Sequence, residues 1–128
     1  GRVSEAVRET TLCESDLFVL PSYVTTRPNG ELTGEGFGIV YLEAAKYGVP
    51  SLAADEGGQT DFVRSDITGI LVDPRSTQLY DEVKRVLTGS YDLVALGRRA
   101  QQAALAKFTM RRLAKDIQAL LRQEWDDE

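Results

Sequence analysis

Three short apolar runs constrain this chain more than any other feature of it. Asp16-Leu17-Phe18-Val19-Leu20 is halted by Pro21, Ser51-Leu52-Ala53-Ala54 by Asp55-Glu56-Gly57-Gly58, and Ile70-Leu71-Val72 by Asp73-Pro74. Unbroken apolar runs of this length, rather than alternating ones, read as parallel strands covered on both faces. Helix-patterned segments separate them, which implies parallel pairing through right-handed crossovers. The expected fold is therefore α/β, with a parallel sheet of about three strands. Ligands of such sheets gather at the carboxyl ends of the strands, so the loops after Leu20, Ala54 and Val72 should open on one crevice.

The helical segments follow from apolar spacing and caps. Ser4 caps a helix to about Glu14, with Ala6, Val7 and Cys13 as buried candidates. A second helix runs from about Gly38 to Tyr47 and stops at Gly48, with Ile39, Val40, Leu42 and Ala45 on its apolar side. A short one spans about Gln59 to Arg64. The rest is a helical C-terminal tail. One helix covers Thr77 to Thr88, with Leu79, Val83, Val86 and Leu87 inward and Gly89 as its stop. Ser90 caps the next, to about Phe108, with Leu93, Leu96, Ala100, Ala103 and Ala104 inward. Thr109 caps the last, with Leu113, Ile117, Leu120 and Leu121 inward, Trp125 near its end and a fraying acidic terminus at Glu124–Glu128. Between Ser22 and Gly34 the chain is polar and reads as a long loop, a length that often marks a lid or binding loop. Nothing in the chain pairs with the free side of Asp16–Leu20. An apolar strand edge of that kind is a liability, so it is expected to be covered by another copy, a swapped segment or a further part of the protein.

Composition narrows the chemistry. The 128 residues amount to about one domain, and 15 basic against 20 acidic residues give a net charge of −5, which does not suggest a nucleic-acid surface. With no histidine and only Cys13, there is no Ser-His-Asp or Cys-His arrangement, no intrachain disulfide and no cysteine-based metal site. No run approaches the roughly 20 apolar residues of a membrane span. Without a secretory pattern at the start, a cytoplasmic location is the expectation. The opening at Gly1, leading straight into a helix pattern, is read as a piece of a longer protein.

The chemistry concentrates in Glu35-Gly36-Phe37-Gly38-Ile39-Val40-Tyr41-Leu42-Glu43. Glycines before a helix let backbone approach a ligand and leave first-turn N–H groups free to bind an anion. A carboxylate at each end could reach the hydroxyls of a ligand held there. The reading is a site for a phosphate-bearing sugar or nucleotide; the plain alternative is a loop-to-helix junction with two solvated glutamates. The Asp55-Glu56 pair has no third carboxylate at a suitable spacing and reads as a solvated turn, not a metal site.

Five segments occur in order: Asp16-Leu-Phe-Val-Leu-Pro-Ser22, Glu35-Gly-Phe-Gly-Ile-Val-Tyr-Leu-Glu-Ala44, Gly48-Val-Pro50, Gly57-Gly58 and Thr68-Gly-Ile-Leu-Val-Asp-Pro74. In these the chain resembles the C-terminal, donor-binding domain of retaining GT-B glycosyltransferases, in the group marked by a Glu-x7-Glu motif. Gly1-Arg2-Val3-Ser4 is similar to the end of the preceding strand and its turn. The resemblance implies the second half of a Rossmann-like doubly wound parallel sheet, strands 4, 5 and 6 of the order 3-2-1-4-5-6. It implies a partial nucleotide-sugar-binding domain at 1–74 with C-terminal helices packed on it at 75–128.

It further implies transfer of a sugar from a nucleotide-diphosphate sugar with retention, this chain being part of the donor-binding half and inactive alone. Glu35 would lie against the transferred sugar as the catalytic residue. Gly36, Phe37, Gly38, Ile39 and Val40 would form the donor loop, with backbone N–H groups of Gly38–Val40 on the diphosphate, and Glu43 would take the ribose hydroxyls. Arg27, Gly57 and Gly58 are further candidates. No cofactor or metal is expected beyond a GDP- or UDP-sugar as substrate. Expected partners are the remaining N-terminal part of the protein and a second copy at the Asp16–Leu20 edge, with a place at the inner membrane face for the longer protein. Two departures stand out: residues Tyr23–Gly34 are inserted before Glu35, as in members acting on lipid-linked or phosphoinositol acceptors, and Asp61 stands where a glutamate is usual. A non-catalytic nucleotide-diphosphate module is the alternative reading.

Overall fold

The structure, a computed structural model, describes residues 2–126 and the surroundings of side chains through residue 119. Gly1, the inward placement of Leu120, Leu121 and Trp125, and the end of the acidic terminus lie outside the described residues. The three apolar runs form one parallel sheet in the order β1 (Phe18–Leu20), β4 (Ser51–Ala54), β5 (Gly69–Val72). Phe18 lies opposite Ser51, and Ser51 opposite Gly69. Gly69 is required there: a Cβ would stand 2.3 Å from the Ser51 carbonyl oxygen. Residues 2–4 form no strand.

Alternation along the strands sends side chains to two separate cores. Ala53 faces one core, with Phe18, Leu20 and Leu71 packed against it; there they meet Tyr41 and Ala45 of α2 (Ile39–Lys46) and Ala100 and Ala104 of α4 (Leu93–Lys107). Leu52, Ile70 and Val72 face the other, with Leu79, Val83 and Val86 of α3 (Gln78–Leu87) against them. The sheet is thus sandwiched between helices, as parallel strands require. Helix α4 comes close to the end of α2 because Gly97 has no side chain; a Cβ would sit 1.8 Å from the Gly48 oxygen.

Several expectations are corrected. Strand β4 is fully buried, and β1 pairs on one side only as expected, but β1 is shorter than its apolar run and is not covered on both faces, Val19 being 46% exposed. Its alternate face points to the α3 side, where α3 packs against β5. Residues 22–34 are not a structureless loop: β2 (Thr25–Thr26) and β3 (Leu32–Thr33) form an antiparallel hairpin. Its turn is set by Asn29 and Gly30, the latter at φ +83°. The helix read at Gln59–Arg64 is a 3₁₀ turn at Gly58–Asp61. Asp92, not Ser90, caps α4 by accepting from Ala95 N–H at 2.9 Å.

Helix α1 (Glu5–Cys13) is capped by Ser4 as expected but buries nothing, Cys13 included, because it meets α2 through polar side chains. Leu87 is exposed, and so are Leu113 and Ile117 of α5 (Met110–Asp126), which Thr109 caps through Arg112 N–H. In α2 the buried face is Tyr41, Ala44 and Ala45, while Ile39 and Val40 point outward.

Candidate functional site

The carboxyl ends of β1, β4 and β5 carry the features singled out in the sequence. Gly38 is the N-cap of α2 at φ +77° and ψ +68°, a left-handed conformation that favours glycine. A Cβ there would lie 2.4 Å from the Tyr41 ring. No side chain caps this helix, and Tyr41 N–H bonds back to the Gly38 oxygen at 2.9 Å. Among the described residues no acceptor is found for the N–H groups of Ile39 and Val40. Free first-turn donors with a helix dipole behind them favour a negative charge placed at that end.

The two glycine motifs are nested. Gly58 N–H points to the Glu35 oxygen at 3.4 Å, and a Cβ on Gly58 would stand 1.4 Å from the Gly36 oxygen. Gly57 takes φ +76°, and its missing Cβ would be 3.3 Å from the Glu35 oxygen. The loop after β4 therefore braces the one that enters α2. Gln59, fully buried, adds a brace from beneath: its side-chain amide donates to the Ser22 oxygen at 2.9 Å and to that of Ala54 at 3.4 Å.

The remaining candidates separate. Glu35 is half-buried at the mouth of α2. Burial, with the Glu35 charge adding to it, pushes the Tyr41 hydroxyl up to about 12. That hydroxyl therefore stays protonated and donates to the Leu20 oxygen at 2.6 Å. Glu43 carries an unforeseen partner: Arg8 of α1 holds its Oε1 at 2.7 Å. Phe37 turns inward, its ring 5.5 Å from that of Phe108. Arg27 is placed on the hairpin and pairs with Glu31 at 3.0 Å, outside the glycine junction.

Of the Asp55-Glu56 turn, Asp55 is solvated as expected and Glu56 is not. Glu56 Oε1 accepts Val24 N–H at 2.9 Å and pairs with Arg75 at 2.9 Å. The Arg75 hydrogen bond first, and the Val24 N–H second, hold its carboxyl below the ordinary value of 4.5. Among the described residues no group of three carboxylate, cysteine or histidine side chains could hold a metal ion. Sequence reasoning missed Arg8, Gln59 and Arg75, whose partners lie many positions away.

The family profile described as "Glycosyl transferases group 1" matches residues 1–103. A GDP-mannose-dependent alpha-(1-6)-phosphatidylinositol monomannoside mannosyltransferase of Mycobacterium tuberculosis is 35% identical over 109 residues, 84% of this chain and 28% of that protein. A D-inositol 3-phosphate glycosyltransferase of Nocardia farcinica is 38% identical over 87 residues, 67% of this chain and 17% of that protein. Sucrose-phosphate synthase of Thermosynechococcus elongatus superposes with TM-score 0.77 at 26% identity, over all of this chain and 30% of the other. Anabaena HepE, in a complex with UDP-glucose, superposes with TM-score 0.69 at 24% identity over 88% of this chain and 29% of the other, a likeness of fold. The α/β architecture is that of the C-terminal Rossmann-like domain of GT-B glycosyltransferases. The chain spans less than a third of the length of each of these proteins.

Proposed function

The chain belongs to the group 1 glycosyl transferases, and from that premise we propose that it binds the donor of a retaining sugar transfer, a nucleotide-diphosphate sugar. The observation that carries this reading is the uncapped start of α2, with unpartnered N–H groups at Ile39 and Val40 beside two nested glycine loops. Fixed donors of this kind stabilise a diphosphate, and more strongly as charge grows on the leaving nucleotide. Glu43 accepts ribose hydroxyls, with Arg8 holding one carboxylate oxygen and leaving the other free. Glu35, at the mouth, faces the sugar and stabilises positive charge at the reacting carbon. Gly57 and Gly58 serve by bracing that loop rather than by touching the ligand.

For this chain alone the proposed activity is donor binding, with transfer belonging to a longer protein whose other parts supply the acceptor site. The substrates named for these relatives favour GDP-mannose as donor and an inositol-containing acceptor. A cytoplasmic place, peripheral to the membrane that holds such an acceptor, goes with that choice. The bare outer edge of β1 is where the rest of the protein, or a second copy, would sit.

Calorimetric titration with UDP, GDP, UDP-glucose and GDP-mannose tests the reading. Binding of a nucleotide sugar is expected, weakened about tenfold by Glu43→Ala, as for one lost hydrogen bond to a charged group. Failure of all four ligands to bind the unaltered chain would overturn it.

A further inference from the structure

Arg75 follows β5 and reaches back across the edge of the sheet. Its guanidinium pairs with Glu56 at 2.9 Å, donates to the Val24 oxygen at 2.7 Å, and lies 4.9 Å from the centre of the Tyr23 ring. Glu56 in turn accepts Val24 N–H. Both backbone groups of Val24 are thus held by one ion pair, which ties the ends of all three sheet strands together. A planar guanidinium that forks to two acceptors and lies over an aromatic ring is held at three points, unlike a lone surface pair.

What Val24 does next matters for the site. It opens the hairpin, and Gly34 closes it; a Cβ on Gly34 would lie 3.0 Å from the Val24 side chain. Gly34 leads directly into Glu35. The 51-residue separation of Arg75 from Val24 is bridged by one hydrogen bond, and Val24 lies so close to Gly34, the neighbour of Glu35, that a side chain there would be crowded.

We propose that Arg75 is a positioning residue: with Glu56 it latches the hairpin closed at Val24 and Gly34, and so sets the place of Glu35 against the donor sugar. The role rests on the donor reading above. It assigns the latch to the sugar-dependent part of affinity and leaves the diphosphate part to α2.

Two measurements on the full chain test it, each with Arg75→Gln, Glu56→Ala and the double variant. Amide hydrogen exchange across residues 23–34 is expected to quicken on the order of tenfold in each single variant and no further in the double, as one latch broken twice. Calorimetry should show GDP-mannose or UDP-glucose weakened roughly fivefold relative to the matching nucleoside diphosphate, equally in both singles. Arg75 binding phosphate directly would instead make Arg75→Gln weaken the diphosphate while Glu56→Ala spares it, and that result overturns the proposal. So does unchanged exchange in both singles. Quickened exchange in a chain that binds no nucleotide sugar would sink the donor reading and leave the latch itself standing.

Discussion

Helices α2 and α5 make an instructive pair. In α2 the apolar residues do not sort onto one side: Ile39 is 69% exposed and Val40 37%, while Tyr41, Ala44 and Ala45 are buried. Yet this helix is the centre of the molecule, fixed by the sheet beneath it and by α4 beside it. In α5 the apolar residues are spaced for a helix face, but Leu113 is 50% exposed and Ile117 47%. Amphipathic spacing shows that a helix has a face to cover; it does not show that the cover lies in the same chain. A poorly sorted helix can be central when small residues let its neighbours approach. Its exposed apolar start is where the proposed donor site puts backbone, not side chains, to use.

The comparison can be broken most forcefully at the contact between α2 and α4. Gly97→Ala would drive a Cβ against the Gly48 oxygen and is expected to cost about 3 kcal/mol, as overpacking against backbone does, read by urea denaturation. A loss under about 1 kcal/mol would mean that α4 can slide, and that α2 is less firmly fixed than described. Next comes Tyr41→Phe, which removes the bond to the Leu20 oxygen and should lower stability by about 1 kcal/mol in the same experiment.

A local effect follows at the loops that lead into α2. The Glu56 carboxyl is held below its ordinary value of 4.5 by Arg75 and by Val24 N–H. Its contribution is therefore complete above that pH and is lost as pH falls through the depressed value. Hydrogen exchange of residues 23–34 should change little between pH 7 and 5, after correction for intrinsic rates, and rise in acid; Glu56→Ala should abolish the dependence. The smallest effect belongs to α5. Leu113→Gln with Ile117→Gln should shift stability by less than about 1 kcal/mol, because both side chains are about half exposed. A cost of about 2 kcal/mol or more would place that face in a core.

Much of the fold was legible because its signals are local. Short apolar runs stopped by Pro21, Gly57-Gly58 and Pro74 mark strands without reference to anything distant, and the positive φ of Gly38 and Gly57 follows from loops that must turn sharply. The hairpin at Thr25–Thr33 was missed: its strands are two residues each and polar, and Asn29-Gly30 by itself is as common in a loop. The cap of α4 went to Asp92 instead of Ser90 because both are good caps and register decided between them.

The candidate site was legible where glycine and helix start adjoin in sequence, at Gly36–Val40. It was not legible where partners come together only on folding. Arg8 and Glu43 are 35 positions apart, Gln59 and Ser22 37. No periodicity links such residues, and a charged side chain in a sequence does not announce which opposite charge it will meet. The inward choice of Ile39 and Val40 failed for a related reason, since hydrophobicity alone does not tell which side of an apolar helix meets the sheet.

The central claim is that the start of α2 binds a diphosphate through its backbone. Amide chemical shifts of Gly38, Ile39 and Val40, followed while GDP or UDP is added, test this most directly. The account predicts progressive shifts at these three amides with the diphosphate and none there with guanosine or uridine. Shifts confined to other parts of the chain, or no shift at millimolar nucleotide, would contradict it.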